Sequence, residues 1–293
     1  MKKLLFIINP MAGRQQAQTD LYKMVKIFAD HDYEVTVYPT RARLDCTRKV
    51  LEDAGRFDLV VCCGGDGTLN EMVSGMMQRQ DRRPMGYIPL GSTNDLAVSL
   101  RLPTRVEEAA LRAVTGNEFH MDVGTLNDRY FNYIAAFGAF TETSYATPQE
   151  IKNALGHLAY ILEGVKSLGK ILPIHVKIIA DDEQFEEDYL FGAVTNTISL
   201  GGVLKLDPEK VLLDDGMYEL LLVKNPTNAL EAQAMLTAIM TQNFDGPLVK
   251  MFHASDITFE SSHEISWTID GEYGGTFSHT HILNNKNAVT LIV

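Results

Sequence analysis

Residues 58–72 read Asp-Leu-Val-Val-Cys-Cys-Gly-Gly-Asp-Gly-Thr-Leu-Asn-Glu-Met, an apolar run, a glycine-rich turn and the start of an amphipathic stretch. The apolar run predicts a strand, and the stretch from Leu69 predicts a helix. A strand that leads through a glycine-rich turn into a helix is typical of phosphate binding. Unpaired amides at the helix start point at the ligand, and glycines let the backbone approach it. We therefore expect the chain to bind a nucleotide.

The turn carries a carboxylate, Asp66, where an ordinary phosphate loop carries a lysine. An acid repels phosphate unless a divalent cation lies between them, so Asp66 predicts Mg²⁺ bound directly or through water. Magnesium beside a triphosphate indicates phosphoryl transfer. The sequence contains no G-x-x-x-x-G-K-[ST], no G-x-G-x-x-G after a strand and no H-R-D. The motifs of P-loop enzymes and protein kinases are thus excluded.

Length and charge limit the remaining classes. A chain of 293 residues with 45% hydrophobic content is better divided between two domains than held in one. A net charge of -12 argues against a nucleic-acid partner, which needs a basic surface. Screening by salt still permits a local basic or apolar patch to dock on lipid. Three cysteines without C-x-x-C spacing indicate a reduced, cytoplasmic protein.

Strands and helices alternate from residue 3 to about 122, which predicts a parallel sheet covered on both faces. The predicted strands are 3–8, 34–38 and 59–62, and the predicted helices are 16–30, 44–54 and 69–77. We assign residues 1–122 to a nucleotide-binding domain.

Residues 123–293 contain mainly strand-like stretches, and we assign them to a β-rich sandwich domain. The predicted strands are 130–137, 174–180, 189–195, 217–223, 256–259, 265–269 and 288–293, with helices over 149–169 and 227–241.

Three unusual turns in the first domain each follow a strand-like run: 9–13, 64–68 and 91–95. Ligands of parallel sheets bind beyond the carboxyl ends of the strands. We therefore expect the three turns to form one site.

Four segments in order carry a family resemblance: Asn9-Pro-Met-Ala-Gly13, Gly64-Gly-Asp-Gly-Thr68, Gly91-Ser-Thr-Asn-Asp95 and Ile269-Asp-Gly-Glu272. Together they resemble the diacylglycerol kinase catalytic family, specifically its soluble bacterial lipid kinases. The resemblance implies an α/β N-terminal Rossmann-like nucleotide-binding domain of the NAD kinase and diacylglycerol kinase type. It also implies a C-terminal β-sandwich domain.

The resemblance implies that nucleotide-binding residues occupy all three turns and the end of the second strand. These are Asn9, Pro10, Met11, Ala12, Gly13, Thr40, Gly64, Gly65, Asp66, Gly67, Thr68, Thr93 and Asn94. Two simpler interpretations stay open. Asn9-Pro10 is also suited to a strand-ending turn, and residues 93–95 to capping of the following helix.

Two metal sites are implied. Asp66, Asp95 and Asp122 would face one Mg²⁺ beside the phosphates, because three close acids are costly without a cation. A second, structural Mg²⁺ would be held by the Asp215 side chain and the carbonyls of Leu212 and Met217. The Asp214-Asp215-Gly216 sequence is equally typical of a plain β-turn.

Glu272 is the candidate general base, which would orient the acceptor hydroxyl and take its proton late in the transfer. Asp270 is the rival base. Gly271 lies between the two acids and can bend the strand, so strand alternation does not decide between them. A hairpin turn at Asp270-Gly271 without a catalytic role is the third interpretation.

The sequence thus predicts an ATP- and Mg²⁺-dependent lipid kinase, with diacylglycerol the leading acceptor and phosphatidic acid the product. The alternatives are a kinase of another lipid alcohol (a sphingoid base, phosphatidylglycerol or undecaprenol), a NAD kinase, and a regulator that binds nucleotide without turnover. We expect a cytoplasmic protein in transient, peripheral contact with the membrane surface that holds its lipid substrate. Homo-oligomerisation stays open.

Overall fold

The computed structural model describes residues 1–139, 172–200, 204–206 and 211–293. The helix expected over 149–169 lies outside these residues. The chain divides into two compact units, residues 1–123 with 285–293, and residues 124–284. The sequence had assigned 285–293 to the second domain, and this assignment is corrected. The end of the last strand belongs to the first unit because Leu291 pairs with Met85 there.

The strands of the described residues are Lys2–Ile8 (β1), Tyr33–Pro39 (β2), Leu59–Gly64 (β3), Met85–Pro89 (β4), Glu118–Leu126 (β5), Arg129–Phe131 (β6), Ile134–Gly138 (β7), Ile174–Ala180 (β8), Glu183–Thr195 (β9), Ser199–Leu200 (β10), Leu204–Lys205 (β11), Tyr218–Lys224 (β12), Val249–Ala254 (β13), Asp256–Ile269 (β14) and Glu272–Ile292 (β15). The α-helices are Gln16–Thr19 (α1), Leu21–Asp30 (α2), Asp45–Asp53 (α3), Asp66–Met77 (α4), Asp95–Ser99 (α5), Val106–Thr115 (α6) and Ala229–Thr241 (α7).

The first unit is built on a parallel sheet in the order β15, β4, β3, β1, β2. Strands β3 and β4 are buried along their whole length and β1 is buried from Leu4 onward, as expected for the centre of a sheet that is covered on both faces. On one face, Phe6 and Val61 pack with Phe28 of α2 and Ala109 of α6. Leu5, Ile7, Val60 and Cys62, which alternate with these residues, are also fully buried. The predicted parallel sheet is therefore present.

The second unit is antiparallel, and its strand order is β13, β12, β9, β7, β14, β15. The long strands β9 and β14 each pair with β8 along one half and with β7 along the other. This sharing folds the strands around a common core. At its centre, the Trp267 ring lies 5.0 Å from that of Phe137 and 4.9 Å from that of Phe259.

Two strands of the second unit extend well beyond their predicted bounds. The sequence predicted separate strands at 256–259 and 265–269, but β14 is continuous. Its pairing with β15 shifts register between Glu260 and Ile265, so the polar residues 262–264 stay exposed within one strand. Similarly, β15 begins at Glu272 rather than at 288. Because the strand carries polar residues, it does not appear as an apolar run in the sequence.

No helix among the residues described is both long and apolar enough to cross a bilayer.

Candidate functional site

Asn9 links the first turn to the glycine-rich turn. It follows β1 directly, and its backbone N–H donates to the Cys63 carbonyl over 2.9 Å. The Asn9 Oδ1 accepts the Met11 N–H at 3.0 Å, and the Asn9 Nδ2 donates to Thr68 Oγ1 at 3.3 Å. One end of the side-chain amide therefore fixes backbone of the first turn, and the other end holds the Thr68 side chain. Asn9 shapes the strand-ending turn and also ties it to the start of α4.

The glycine-rich turn passes from β3 into α4 without a side-chain cap at the helix start. Helix-start amides that lack a cap are the groups that serve an anionic ligand. Thr40 adjoins the same strand ends, since its N–H donates to the Ile8 carbonyl at 2.9 Å.

The third turn is fastened to the second through Asn94. Asn94 has a left-handed backbone (φ 53°), its Oδ1 accepts the Gly91 N–H at 2.8 Å, and its Nδ2 donates to the Gly91 carbonyl at 2.9 Å. Its own N–H donates to Asp66 Oδ2 at 2.9 Å. Tyr87 adds an O–H donor to Asn94 Oδ1 at 3.2 Å. Asn94 therefore maintains the turn through its side chain and holds Asp66 through its backbone N–H.

Tyr87 was not predicted as a site residue, because a tyrosine within the strand-like run before the third turn is also typical of a plain core residue. Burial raises the pKa of this phenol well above its usual value, so the hydroxyl stays a donor at neutral pH.

Glycine is required where the second and third turns touch. A Cβ on Gly91 would lie 2.6 Å from Asn94 Oδ1 and 2.7 Å from the Gly65 Cα. The latter contact is with backbone, which cannot rotate away. The close approach brings residues of all three turns around one opening of about 540 Å³. Its lining includes Asn9, Met11, Ala12, Gly13, Gly65, Gly91 and Ser92.

We expect Gly91→Ala to lower the free energy of unfolding by about 1–3 kcal/mol, because the added methyl group overpacks this contact. It should also weaken ATP binding, since the two turns must separate. Chemical denaturation and calorimetric titration with ATP measure the two effects. Gly246→Ala is the control, because a Cβ there meets no atom closer than 3.8 Å. Equal behaviour of the two variants would contradict the close approach.

The three acids expected to share one cation lie in the same unit. Asp66 occupies the first turn of α4, and Asp95 opens α5 with 2% of its surface exposed. Asp122 is fully buried and accepts the Asn287 N–H at 2.7 Å. Within the part of the chain that is described, no three His, Cys, Asp or Glu side chains lie close enough together to hold a metal ion. A cation at this place would need phosphate or water oxygens to complete its shell, as Mg²⁺ ordinarily does.

Asp270 and Glu272 flank a hairpin turn of the second unit. Asp270 (φ 47°) and Gly271 (φ 80°) join β14 to β15 in the left-handed conformation of a two-residue turn. Asp270 is 6% exposed, and its carboxylate accepts the backbone N–H groups of Asn132, Tyr133 and Ile134 at 2.7–3.2 Å. Glu272 is exposed at the start of β15. The buried carboxylate is thus engaged in holding backbone, whereas Glu272 lies at the surface.

Asp270→Asn should lower the free energy of unfolding by about 2 kcal/mol, because an amide NH₂ would face the backbone donors that the carboxylate accepts. Denaturant unfolding measures the loss. The matched control is Asp128→Asn, which changes an exposed aspartate of the same unit. A loss no larger than that of the control would show that the three hydrogen bonds contribute little.

The segment from Leu212 to Met217 forms a tight turn before β12. Asp215 Oδ1 accepts the Met217 N–H at 2.8 Å, and the Met217 carbonyl accepts from Asn284 Nδ2 at 3.2 Å. Gly216 has φ 86°. The Asp215 carboxylate and the Met217 carbonyl therefore belong to one tight turn, and hard oxygen donors of this kind suit Mg²⁺.

Glu219, two residues farther along, is a buried acid that the sequence analysis did not single out. It is 1% exposed, and its Oε2 has no hydrogen-bond partner among the described residues. Burial raises the pKa of this carboxyl to about 8. The only sequence signal is its position as the one acid in an otherwise apolar strand, β12. A buried carboxyl oxygen without a partner is consistent with a polar ligand near this turn.

Both halves of the chain match protein families. Residues 3–126 match the diacylglycerol kinase catalytic domain. Residues 140–292 match the YegS C-terminal NAD kinase beta sandwich-like domain. Together with the parallel sheet and the antiparallel second unit, these matches confirm the predicted fold class.

Curated relatives and solved structures cover nearly the whole chain. A diacylglycerol kinase of Bacillus subtilis is 33% identical over an alignment of 296 positions, which covers 98% of this chain and 97% of the relative. One of Staphylococcus carnosus is 31% identical over 98% of this chain and 94% of its own. A Bacillus anthracis structure named as a diacylglycerol kinase superposes with a TM-score of 0.83 at 28% identity, covering 99% of this chain and 95% of that one.

Proposed function

The chain belongs to the diacylglycerol kinase family, and we propose that it transfers the γ-phosphate of ATP to the free hydroxyl of diacylglycerol, giving phosphatidic acid and ADP. The observation that carries the proposal is the joining of the three turns through Asn9, Asn94 and the Gly65–Gly91 approach. This joining forms a preorganised anion site at the ends of parallel strands. Family membership indicates phosphoryl transfer as the class of reaction, and the joined turns would bind the triphosphate.

In this proposal the first unit binds ATP. The backbone amides of the glycine-rich turn and of the α4 start would donate to phosphate oxygens, with residues 9–13, Thr40 and Thr93 completing the nucleotide contacts. Such donors cost no reorganisation during the reaction, because the hydrogen bonds of Asn9 and Asn94 already fix them. Phosphoryl transfer depends mainly on positioning and charge neutralisation, so rigid turns are well suited to it.

Asp66, with Asp95 and Asp122, would hold Mg²⁺ directly or through water, and the ion would neutralise charge on the triphosphate. Mg²⁺ prefers oxygen ligands, and all three side chains carry carboxylate oxygens. The Asn94 N–H fixes the orientation of the Asp66 carboxylate.

Glu272 would accept the proton of the acceptor hydroxyl. Asp270 would position Glu272 instead of competing with it, because its oxygens hold the backbone of residues 132–134 and its turn starts β15. Leu212, Asp215 and Met217 would hold a structural Mg²⁺ that braces the second unit. Such a metal would act on stability without contacting ATP.

We further propose that the enzyme works in the cytoplasm and contacts the membrane surface transiently, since its acceptor resides in the bilayer. Whether it assembles into a homo-oligomer is a separate question that light scattering answers.

The acceptor is tested by measuring kcat/KM with ATP and Mg²⁺ for a panel in mixed micelles: diacylglycerol, a sphingoid base, phosphatidylglycerol and undecaprenol, with NAD assayed in solution. We expect diacylglycerol to exceed every other acceptor by at least about tenfold, the ratio that 1.4 kcal/mol of discrimination gives. A higher value for another acceptor would reassign the substrate. Binding of ATP without turnover of any acceptor would indicate a regulator.

A further inference from the structure

Helix α7 presents an outer face without ionisable groups. Leu230 is 79% exposed and Met240 is 80% exposed, and they flank the polar but uncharged Gln233 and Thr237 along the same side. Glu231 is the single ionisable residue of the helix sequence. Its carboxylate is engaged at the helix start, where it accepts the N–H and hydroxyl of Thr227 at 2.7 and 2.8 Å. The outer face is therefore uncharged and carries two highly exposed apolar side chains.

The opposite side of α7 anchors it firmly. Ala232 and Met235 are buried, and Met235 packs with Leu221, Val223 and Phe244 in a core cluster of the second unit. The core contacts hold the helix in place, so Leu230 and Met240 are exposed while the helix is packed against the second unit.

A groove extends this face beyond the helix. It runs between α7 and residues 243–249, where Leu230, Ala234 and Ala238 lie opposite Pro247 and Leu248. None of the described residues that line it is ionisable. In the surrounding segment 224–250, two lysines balance two acids, whereas the whole chain carries a net charge of -12. The segment is thus electrically neutral on an acidic protein.

We propose that the outer face of α7 and this groove form a docking surface for a lipid bilayer, with Leu230 and Met240 entering the boundary between headgroups and acyl chains. This inference rests on the proposed function, because an enzyme that phosphorylates diacylglycerol must reach the bilayer. Anionic lipids repel an acidic surface, and a neutral face is where the chain approaches them at the least electrostatic cost. Exposed leucine and methionine side chains then supply apolar area for insertion.

The test is co-sedimentation of the full chain with phosphatidylcholine vesicles that contain minor fractions of phosphatidylglycerol and diacylglycerol. Leu230→Gln with Met240→Gln removes the apolar side chains without changing charge and keeps good helix formers. We expect at least a tenfold fall in the vesicle partition coefficient. The matched control is Tyr22→Gln with Leu111→Gln, two exposed apolar residues on helices of the first unit, and it should bind as the wild type does.

A second readout separates docking from catalysis. Turnover of a short-chain diacylglycerol dissolved as monomers should be unchanged in the α7 variant, because the docking surface is not needed there. Vesicle binding equal to the wild type, or a variant that changes from oligomer to monomer in light scattering, would overturn the proposal. The latter result would make the face a contact between copies of the chain. Wild-type vesicle binding without any diacylglycerol turnover would refute the proposed function and leave docking intact.

Discussion

Glu272→Gln is expected to lower kcat for diacylglycerol phosphorylation by about 100- to 10,000-fold, the range that general-base catalysis contributes. Glutamine keeps the size of the side chain but cannot accept the hydroxyl proton. Because Glu272 is exposed at the start of β15, the loss of its charge should leave folding intact. ATP affinity should also remain, since the proposed nucleotide residues all belong to the first unit. Steady-state kinetics and calorimetric titration separate the two quantities.

The control for this variant is Glu264→Gln, which removes an exposed glutamate from β14 in the same unit. It should behave as the wild type does. A Glu272→Gln enzyme with more than about a tenth of the wild-type kcat would assign the proton transfer to another group. Asp270 is a poor substitute, because its carboxylate already accepts three backbone N–H groups.

Asp66→Asn should lower kcat/KM by about 100- to 1,000-fold, the loss that follows removal of one strong electrostatic group from an active site. The variant removes the negative charge that would attract Mg²⁺. The amide oxygen still accepts the Asn94 N–H, so stability should change by no more than about 1 kcal/mol. The variant should also need more Mg²⁺ for half-maximal activity. A magnesium titration of the rate measures this shift directly.

Asp30→Asn is the matched control in the first unit, because it removes a surface aspartate whose ion-pair partner among the described residues is the exposed Lys26. Exposed ion pairs of this kind contribute little to the free energy of unfolding. If Asp66→Asn kept the wild-type magnesium requirement, the carboxylate would have no part in metal binding. If it unfolded the protein, its main role would be to hold the third turn.

The first unit was largely predictable from its sequence. Its central strands are buried on both faces and therefore appear in the sequence as continuous apolar runs, as at residues 4–8 and 59–63. The expected convergence of the three turns followed from the rule that ligands bind at strand ends. The rule does not reveal how they are joined. The Asn94–Asp66 hydrogen bond and the Gly65–Gly91 contact link residues far apart in the chain and depend on packing.

The second unit was less predictable because its strands carry polar residues. β15 passes through His279 and His281, and its antiparallel pairing with β14 over residues 272–283 holds it extended despite this composition. A strand with one solvated face carries no apolar run. The structural role of Asp270 could not be predicted either. The pattern along one strand concerns only neighbouring residues, whereas the carboxylate accepts N–H groups from residues 132–134, far away in the chain.

The most direct test of the central claim is a single-turnover reaction of the wild-type enzyme with ATP radiolabelled in its γ-phosphate, diacylglycerol micelles and Mg²⁺. The account predicts that the label appears in phosphatidic acid in proportion to the ADP formed, and that this transfer is absent from both Glu272→Gln and Asp66→Asn on the same timescale. Release of the label as inorganic phosphate, without labelled phosphatidic acid, would contradict it.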